Sequence, residues 1–412
     1  MIFSIAWKNV WRNKLRSSIV ISSMIIGLLG GIFYLALAKG MAQQQISSAI
    51  HNEISNIQIH HPQFLINDEI KYTIENPSEI ISKIKTLDEV SEVTSRITSP
   101  AMISSALTGT GIFIKGIDPL VEKNISEISS LLVDGNYFES QGKNPILIGE
   151  KLAIKLNVKL KSKIVVTIQN VTGDISYSAF RVGGIFKTNN SNFDQMTVFV
   201  QKDDLVRVLG FDELKATEIA IILKHNNLTN TTVTKINNLL SDDIADGKLL
   251  VQTWEDISPV LKMMNEMTVQ YSMIFVIIIL LALSFGIINT MLMAIMERVR
   301  EIGMLMAIGM NKVKIFLMIM LETVFLSVTG GILGLIISWV VVEITASTGI
   351  DLSGIADGLN SMGYSSFLYP ELEFVYYAFI GLLVVVTAIF ASIMPARKAL
   401  KFNPVEAVRH DA

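Results

Sequence analysis

The chain has no cysteine. That excludes disulfides, thiolate metal sites, cysteine nucleophiles and lipidation on cysteine. Histidine is scarce, with five residues, and charge is sparse at 17%. His60-His61 is the one adjacent pair of histidines. Neighbouring strand residues point to opposite faces, so these two cannot easily share a metal, and a structural role is expected. No GxSxG or HExxH motif occurs, and no catalytic or metal-ligating set stands out. The acids Asp68 and Glu69 read as a solvated loop. A GxxxxGK[ST] phosphate loop is also missing, because Gly142-Lys143 and Gly247-Lys248 lack its context. If ATP drives this protein, another chain binds it. The net charge of −3 carries no nucleic-acid footprint.

What the chain has in quantity is apolar length. Half of its 412 residues are hydrophobic, too many for an ordinary soluble protein, yet the charge is too high for a chain buried in a bilayer throughout. Four runs reach the ~20 residues that a ~30 Å hydrocarbon core demands. They are residues 17–38, 271–296, 315–342 and 374–394. Residues 1–16 precede the first run. There Phe3, Trp7, Val10 and Trp11 recur at helical spacing beside Lys8, Arg12, Lys14 and Arg16. This predicts an amphipathic helix on the membrane surface. Ala36-Leu37-Ala38 resembles a signal-peptide cleavage site, but the apolar run is longer than a signal core, so a retained span is expected.

Lysine and arginine placement sets the orientation. The N-terminal lead-in, residues 297–314 and the tail 395–412 are basic, whereas 343–373 has acids and no Lys or Arg. Both termini and the 297–314 connection therefore belong in the cytoplasm. Residues 39–270 and the loop 343–373 then lie outside, the former large enough at about 230 residues for one or two domains. Within it, Ile54–His60, Pro77–Thr86 and Val90–Ser99 read as strand, helix, strand. Glu218–Leu223, Thr231–Leu240 and Leu249–Thr253 repeat that order. Between the two units, residues 125–209 are mostly strand signal: Pro145–Ile148, Ser162–Gln169, Tyr177–Ile185 and Thr197–Val200, broken by a helical stretch, Glu150–Leu156. The expected fold is a membrane α-helical protein of four transmembrane helices. A large periplasmic α+β domain of two subdomains sits between the first and second helices, with 125–209 an inserted β-rich subdomain.

Three features stand apart from this frame. Met296–Gly309 packs Glu297, Arg298, Arg300 and Glu301 between two spans, with Gly303, Ala307 and Gly309 following. Read as a helix, Glu297–Arg300 and Arg298–Glu301 are i,i+3 pairs. A solvated loop and a docking element for a soluble partner both fit. Glu322 lies inside the third run, where an ionisable group costs at least ~2.5–3.5 kcal/mol at the bilayer centre; a polar contact explains it better than proton transport. Gly27/Gly31 and Gly330/Gly334, with Gly331, have the small-xxx-small spacing of close helix packing.

Together these segments resemble the bacterial ABC-transporter permeases of the FtsX-like and MacB type. ERVREIGMLMAIG at 297–309 is similar to that family's ERxREIGxLxAxG. Glu322 with Gly330-Gly331 and Gly334 resembles E(x)7GGxxG, and Pro395-Ala396, Ala399, Pro404, Ala407 and Arg409 resemble PAxxAxxxxPxxAxR. Residues 56–65, 114–119 and 146–158 resemble the lipoprotein-releasing LolC/LolE group most closely. The resemblance implies a non-catalytic permease subunit in the bacterial inner membrane. Its partners would be an ABC ATPase dimer, which alone holds ATP and Mg, and a second permease chain, identical or homologous. Glu297, Arg298, Arg300, Glu301, Gly303, Ala307 and Gly309 would couple to that ATPase, and membrane lipid surrounds the spans. The substrate would be a lipoprotein released toward the outer membrane, or another envelope substrate, with a periplasmic carrier or adaptor a further partner. MacB-like efflux of peptides or small molecules, and an FtsX-like scaffold regulating a cell-wall hydrolase, are the alternatives.

Overall fold

The structure, a computed structural model, describes residues 2–67, 69–138, 144–210 and 215–401. Asp68, Gly142-Lys143 and the tail from Phe402 onward, with Pro404, Ala407 and Arg409, lie outside the described residues. The chain divides into two units, Met1–Ala42 with Asn265–Asp351 and Phe367–Ala412, and Gln43–Met264 with Leu352–Ser366.

The first unit is helical. Its elements are α1 (Ile2–Arg12), α2 (Lys14–Ala49, running on into the second unit), α3 (Pro259–Glu297), α4 (Val299–Ala307), α5 (Lys312–Thr348) and α6 (Phe374–Ala399). The helices containing α2, α3, α5 and α6 are long and apolar enough to cross a membrane. α2, α3 and α5 outrun the apolar stretches that announce them, because polar residues continue each helix beyond its hydrophobic core. Gly27 and Gly31 let Leu283 and Ile279 of α3 approach α2: an added Cβ would meet them at 2.8 and 2.9 Å. Gly330 and Gly334 do the same for Met24 and Leu28 of α2, at 3.0 and 2.8 Å, and Gly331 faces Val384 of α6 at 3.2 Å. α2 is thus flanked by glycine contacts to both α3 and α5. α1 lies along α5, where Trp7 meets Phe325 edge to face with ring centroids 5.7 Å apart.

At the other end of α2, Gly40 sits against a backbone. A Cβ there would fall 2.2 Å from the Tyr369 carbonyl oxygen and 3.0 Å from the Glu371 nitrogen. The Glu371 N–H donates to the Ala36 carbonyl at 3.0 Å. Lys39 completes this clasp, 3.1 Å from Glu373 and 4.0 Å above the Tyr376 ring centroid.

The second unit is built on ten strands: β1 (Ile57–His60), β2 (Val90–Ser104), β3 (Gly109–Ile117), β4 (Leu132–Gly135), β5 (Pro145–Gly149), β6 (Lys163–Gln169), β7 (Ile175–Phe186), β8 (Thr197–Gln201), β9 (Glu218–Leu223) and β10 (Leu250–Thr253). Four of them form an antiparallel sheet in the order β10-β1-β9-β2. Helices Pro77–Ile84 and Thr229–Leu239 link β1 to β2 and β9 to β10. Ile80, Ile84 and Ile236 from these helices share one core with Ile57, Ile59, Val93, Ile219 and Ile221 of the sheet. This is a split βαβ arrangement with its two halves at opposite ends of the domain sequence.

The residues between the halves close a six-stranded barrel, β2-β3-β8-β5-β7-β6 and back to β2. The β3–β8 and β5–β7 pairs are parallel and the others antiparallel. Ile103, Ile112, Ile164, Val166, Phe180 and Val198 fill it. The sequence placed the β-rich part at 125–209; the barrel also takes β3 and the second half of β2. β2 is therefore one fifteen-residue strand with two sets of partners. Val90–Arg96 pairs with β9, and Ile97–Ser104 pairs with β3.

Arg96 stands at that changeover, directly opposite Glu218. Its guanidinium lies 2.6 Å from Glu122 and 2.9 Å from Glu218, and all three side chains are at most 4% exposed. Burial alone would push the Glu218 carboxyl up, but Arg96 and Lys115 hold it below its usual range.

A second buried acid titrates in the opposite sense. Asp194, on helix Ser191–Met196, accepts from the Thr188 N–H at 3.1 Å and the Thr188 hydroxyl at 2.7 Å. Burial nevertheless pushes its carboxyl from 3.8 to about 6. An acid whose pKa is raised by folding favours the native state only while protonated. Stability from this group is present below 3.8 and is lost as pH rises through about 6. The loss should reach about 2–3 kcal/mol. Urea midpoints measured across that window should fall with pH in the native chain relative to Asp194→Asn; parallel profiles would refute the shift.

Candidate functional site

The stretch 296–309 is not one helix. α3 ends at Glu297, Arg298 adopts φ −112° and ψ 16°, and α4 begins at Val299. Gly309, at φ +89°, then reverses the chain toward α5, a conformation open to glycine at little cost. Asn311 caps α5, its side chain accepting from the Val313 N–H. A nine-residue helix of two and a half turns between two such breaks is too short to persist by propensity. Its placement must come from contacts.

Those contacts are largely ionic. Arg298 reaches Glu301 at 3.1 Å and, with its other nitrogen, Glu322 at 2.9 and 3.2 Å. Glu322 is thus paired with the residue that opens α4. Glu301 is shared, because Nη2 of Arg12 on α1 donates to both of its carboxylate oxygens, at 2.8 and 3.0 Å. Glu297 is paired with Arg16 at the start of α2. The helical reading foresaw Arg298–Glu301; the Arg16 partner of Glu297 comes from another helix, α2. Partial burial would raise the Glu301 carboxyl, but Arg12 and Arg298 hold it below its usual range. Arg12–Glu301 is half exposed and contributes under about 1 kcal/mol. Arg298–Glu322 is largely sheltered, with side chains 16% and 11% exposed, so removal of either partner has the larger effect.

Apolar packing covers only part of α4. Ile302 and Gly303 are buried, and Ile302 joins a cluster with Ile295, Ile315 and Ile319. On another side a cavity of about 330 Å³ is lined by Leu305 together with Ile5 and Asn9 of α1 and Met318 of α5. The remaining face is outward: Ile308 is 84% and Met304 51% exposed, and Arg300, Ala307 and Gly309 are exposed beside them. The site therefore has an ionic root and an apolar tip. From sequence Arg12 and Arg16 read only as charges of an amphipathic surface helix and as a sign of orientation, not as partners of this turn. Among the described residues no group of three or more His, Cys, Asp or Glu is arranged for a metal.

This helix and its neighbours fall inside a matched family. The match is to the FtsX-like permease C-terminal family, over residues 273–404. That segment is similar to the C-terminal domain of FtsX-like permeases. It includes α4, Glu322 and the glycines of α5, and excludes α1, α2 and the domain between the first two long helices. Over nearly the whole chain, 24% of residues are identical to an uncharacterized ABC transporter permease of Methanocaldococcus jannaschii, covering 99% of this chain and 97% of the relative. Also 24% identical are the macrolide export ATP-binding/permease protein MacB of Escherichia coli and the pyoverdine export ATP-binding/permease protein PvdT of Pseudomonas entomophila. The chain spans 59% and 58% of their lengths, respectively. Among solved structures, the extracellular domain of the Gram-positive transporter YknZ matches at TM-score 0.35 and 17% identity, covering 48% of this chain and 99% of that one. The periplasmic region of MacB from Actinobacillus actinomycetemcomitans matches at TM-score 0.37 and 10% identity, covering 54% and 94%.

Proposed function

We propose that the chain is the permease subunit of an ABC transporter, in the bacterial inner membrane with both termini cytoplasmic and the strand-rich domain in the periplasm. A separate ATPase dimer, holding ATP and Mg, docks on α4. The second permease of the complex is a copy of this chain or a homologue. The observation that carries this reading is α4 itself: a short helix, ionically rooted among α1, α2, α3 and α5, that presents Met304 and Ile308 to solvent within an FtsX-like domain. An exposed apolar tip on a fixed root suits insertion into a groove of a soluble partner.

The substrate is an envelope molecule. Release of lipoproteins toward the outer membrane is the reading favoured by the residue patterns at 56–65, 114–119 and 146–158. Efflux of a small molecule or peptide is equally consistent, because two of the similar proteins are named for macrolide and pyoverdine export. Depletion separates the two readings: lipoproteins retained in the inner membrane support release, whereas normal sorting with a retained toxin supports efflux.

The docking role is tested by Ile308→Glu. A buried charge at the centre of an interface costs at least about 2 kcal/mol, so ATPase recovered with the affinity-tagged permease should fall more than about tenfold while membrane insertion is unchanged. Full recovery would rule α4 out as the docking element.

A further inference from the structure

The ionic root does more than hold one helix in place. Arg298 joins the start of α4 to Glu322 of α5 by charge, and it shares Glu301 with Arg12 of α1. The 330 Å³ cavity is lined by these charged residues together with Leu305 of α4 and Asn9 of α1, so side chains do not fill the space there. Where interdigitation is incomplete, side chains do not fix the relative position of two helices. Here the charges span the gap instead. The fork geometry of arginine matters, because one guanidinium must reach carboxylates on two helices at once. The lysine ammonium cannot offer two directed pairs in the same plane.

We propose that Arg298 is a positioning residue that ties α4 to α5 and, through Glu301 and Arg12, to α1, so that displacement of the docked ATPase moves these helices together. The N-terminal helix α1 is then part of the drive train and not only a membrane-surface anchor. This rests on the permease reading above and adds the residue through which the coupling passes.

The absence of cysteine makes a direct test simple. Asn9→Cys and Leu305→Cys place one spin label on α1 and one on α4, with no native thiol to remove. The doubly labelled chain is measured in nanodiscs by pulsed dipolar spectroscopy, alone and with its co-purified ATPase, without nucleotide and with ADP and vanadate. The expected result is one narrow distance that persists in every state. Arg298→Gln should broaden or split it, Glu301→Gln should do the same, and Arg298→Lys should restore it only in part. In the assembled complex, Arg298→Gln should also lower permease-dependent stimulation of ATP hydrolysis about tenfold, inside the roughly 5–150-fold span of coupled sites. An equally narrow distance in Arg298→Gln and Glu301→Gln overturns the proposal, since the packing would then hold α4 without the charges. Failure of any ATPase to co-purify with the native chain defeats the permease reading instead, and leaves the distance measurement on the chain alone to decide whether the root is ionic.

Discussion

Replacing Arg96 by alanine should cost about 3–5 kcal/mol, the typical effect of stranding a buried charge, out of a net domain stability of about 5–15 kcal/mol. The variant leaves Glu122 and Glu218, at most 4% exposed, without the guanidinium that bonds both, and with Lys115 as the cation still near them. Protonation of one acid would relieve part of the repulsion, so the loss should be largest at neutral pH and smaller in mild acid. The measurement is the urea midpoint of the purified chain, with hydrogen exchange over β2 and β9 as the local readout. A companion variant makes the test sharper. Arg96→Met combined with Glu122→Leu and Glu218→Met removes the three paired charges and should recover part of the loss, because apolar side chains of similar volume avoid their desolvation cost while Lys115 keeps its bond to the Glu53 carbonyl. A single-variant loss under about 1 kcal/mol would mean that the three charges are not paired as described.

Gly40→Ala should be the most damaging single change in the helical unit. The new methyl would lie 2.2 Å from the Tyr369 carbonyl, a backbone atom with no rotamer to change. Ordinary contact needs more than 3.4 Å, so α2 and residues 369–371 must separate by about an ångström. That movement breaks the Glu371–Ala36 hydrogen bond and pulls Lys39 from Glu373. Strain and lost bonds together should cost about 2–4 kcal/mol. The result should read as a drop of several degrees in the unfolding temperature of the detergent-purified chain. Gly30→Ala on the same helix is the control, because nothing lies within 4 Å of its added methyl. Equal behaviour of the two variants would remove the clasp from consideration.

The apolar runs made the helical unit legible, since a bilayer leaves few ways to satisfy a long uncharged stretch. The two strand–helix–strand units were legible for the same kind of reason: Ile80 and Ile84 keep helical period while Ile57 and Ile59 alternate. β3 was not, because Gly109, Gly111 and Gly116 dilute its β signal and Lys115 interrupts the apolar pattern. The second half of β2 was masked by Pro100, which ordinarily demotes a strand to an edge; here it lies opposite Phe113 of β3, within the barrel wall. The charged turn was visible as a motif, but its partners were not. Arg12 and Glu301 are 289 residues apart in sequence, and no local period reports such a pair. Glu322 stood out as a charge in an apolar run, while its counter-ion was hidden by the chain reversal at Gly309.

The split sheet also sets an order of events during synthesis. β1 is made early, yet both of its neighbours, β9 and β10, come from the end of the domain, after the whole barrel has been translated. Until residues 218–253 emerge, β1 is a strand of alternating isoleucine and polar residues with two open edges. The late strand β9 pairs with β2 along one edge and with β1 along the other, so β1 joins the sheet only once β9 has been made. The interval before that capture is when the nascent domain is most exposed to mispairing, and when a chaperone that shields extended apolar segments would have its greatest effect.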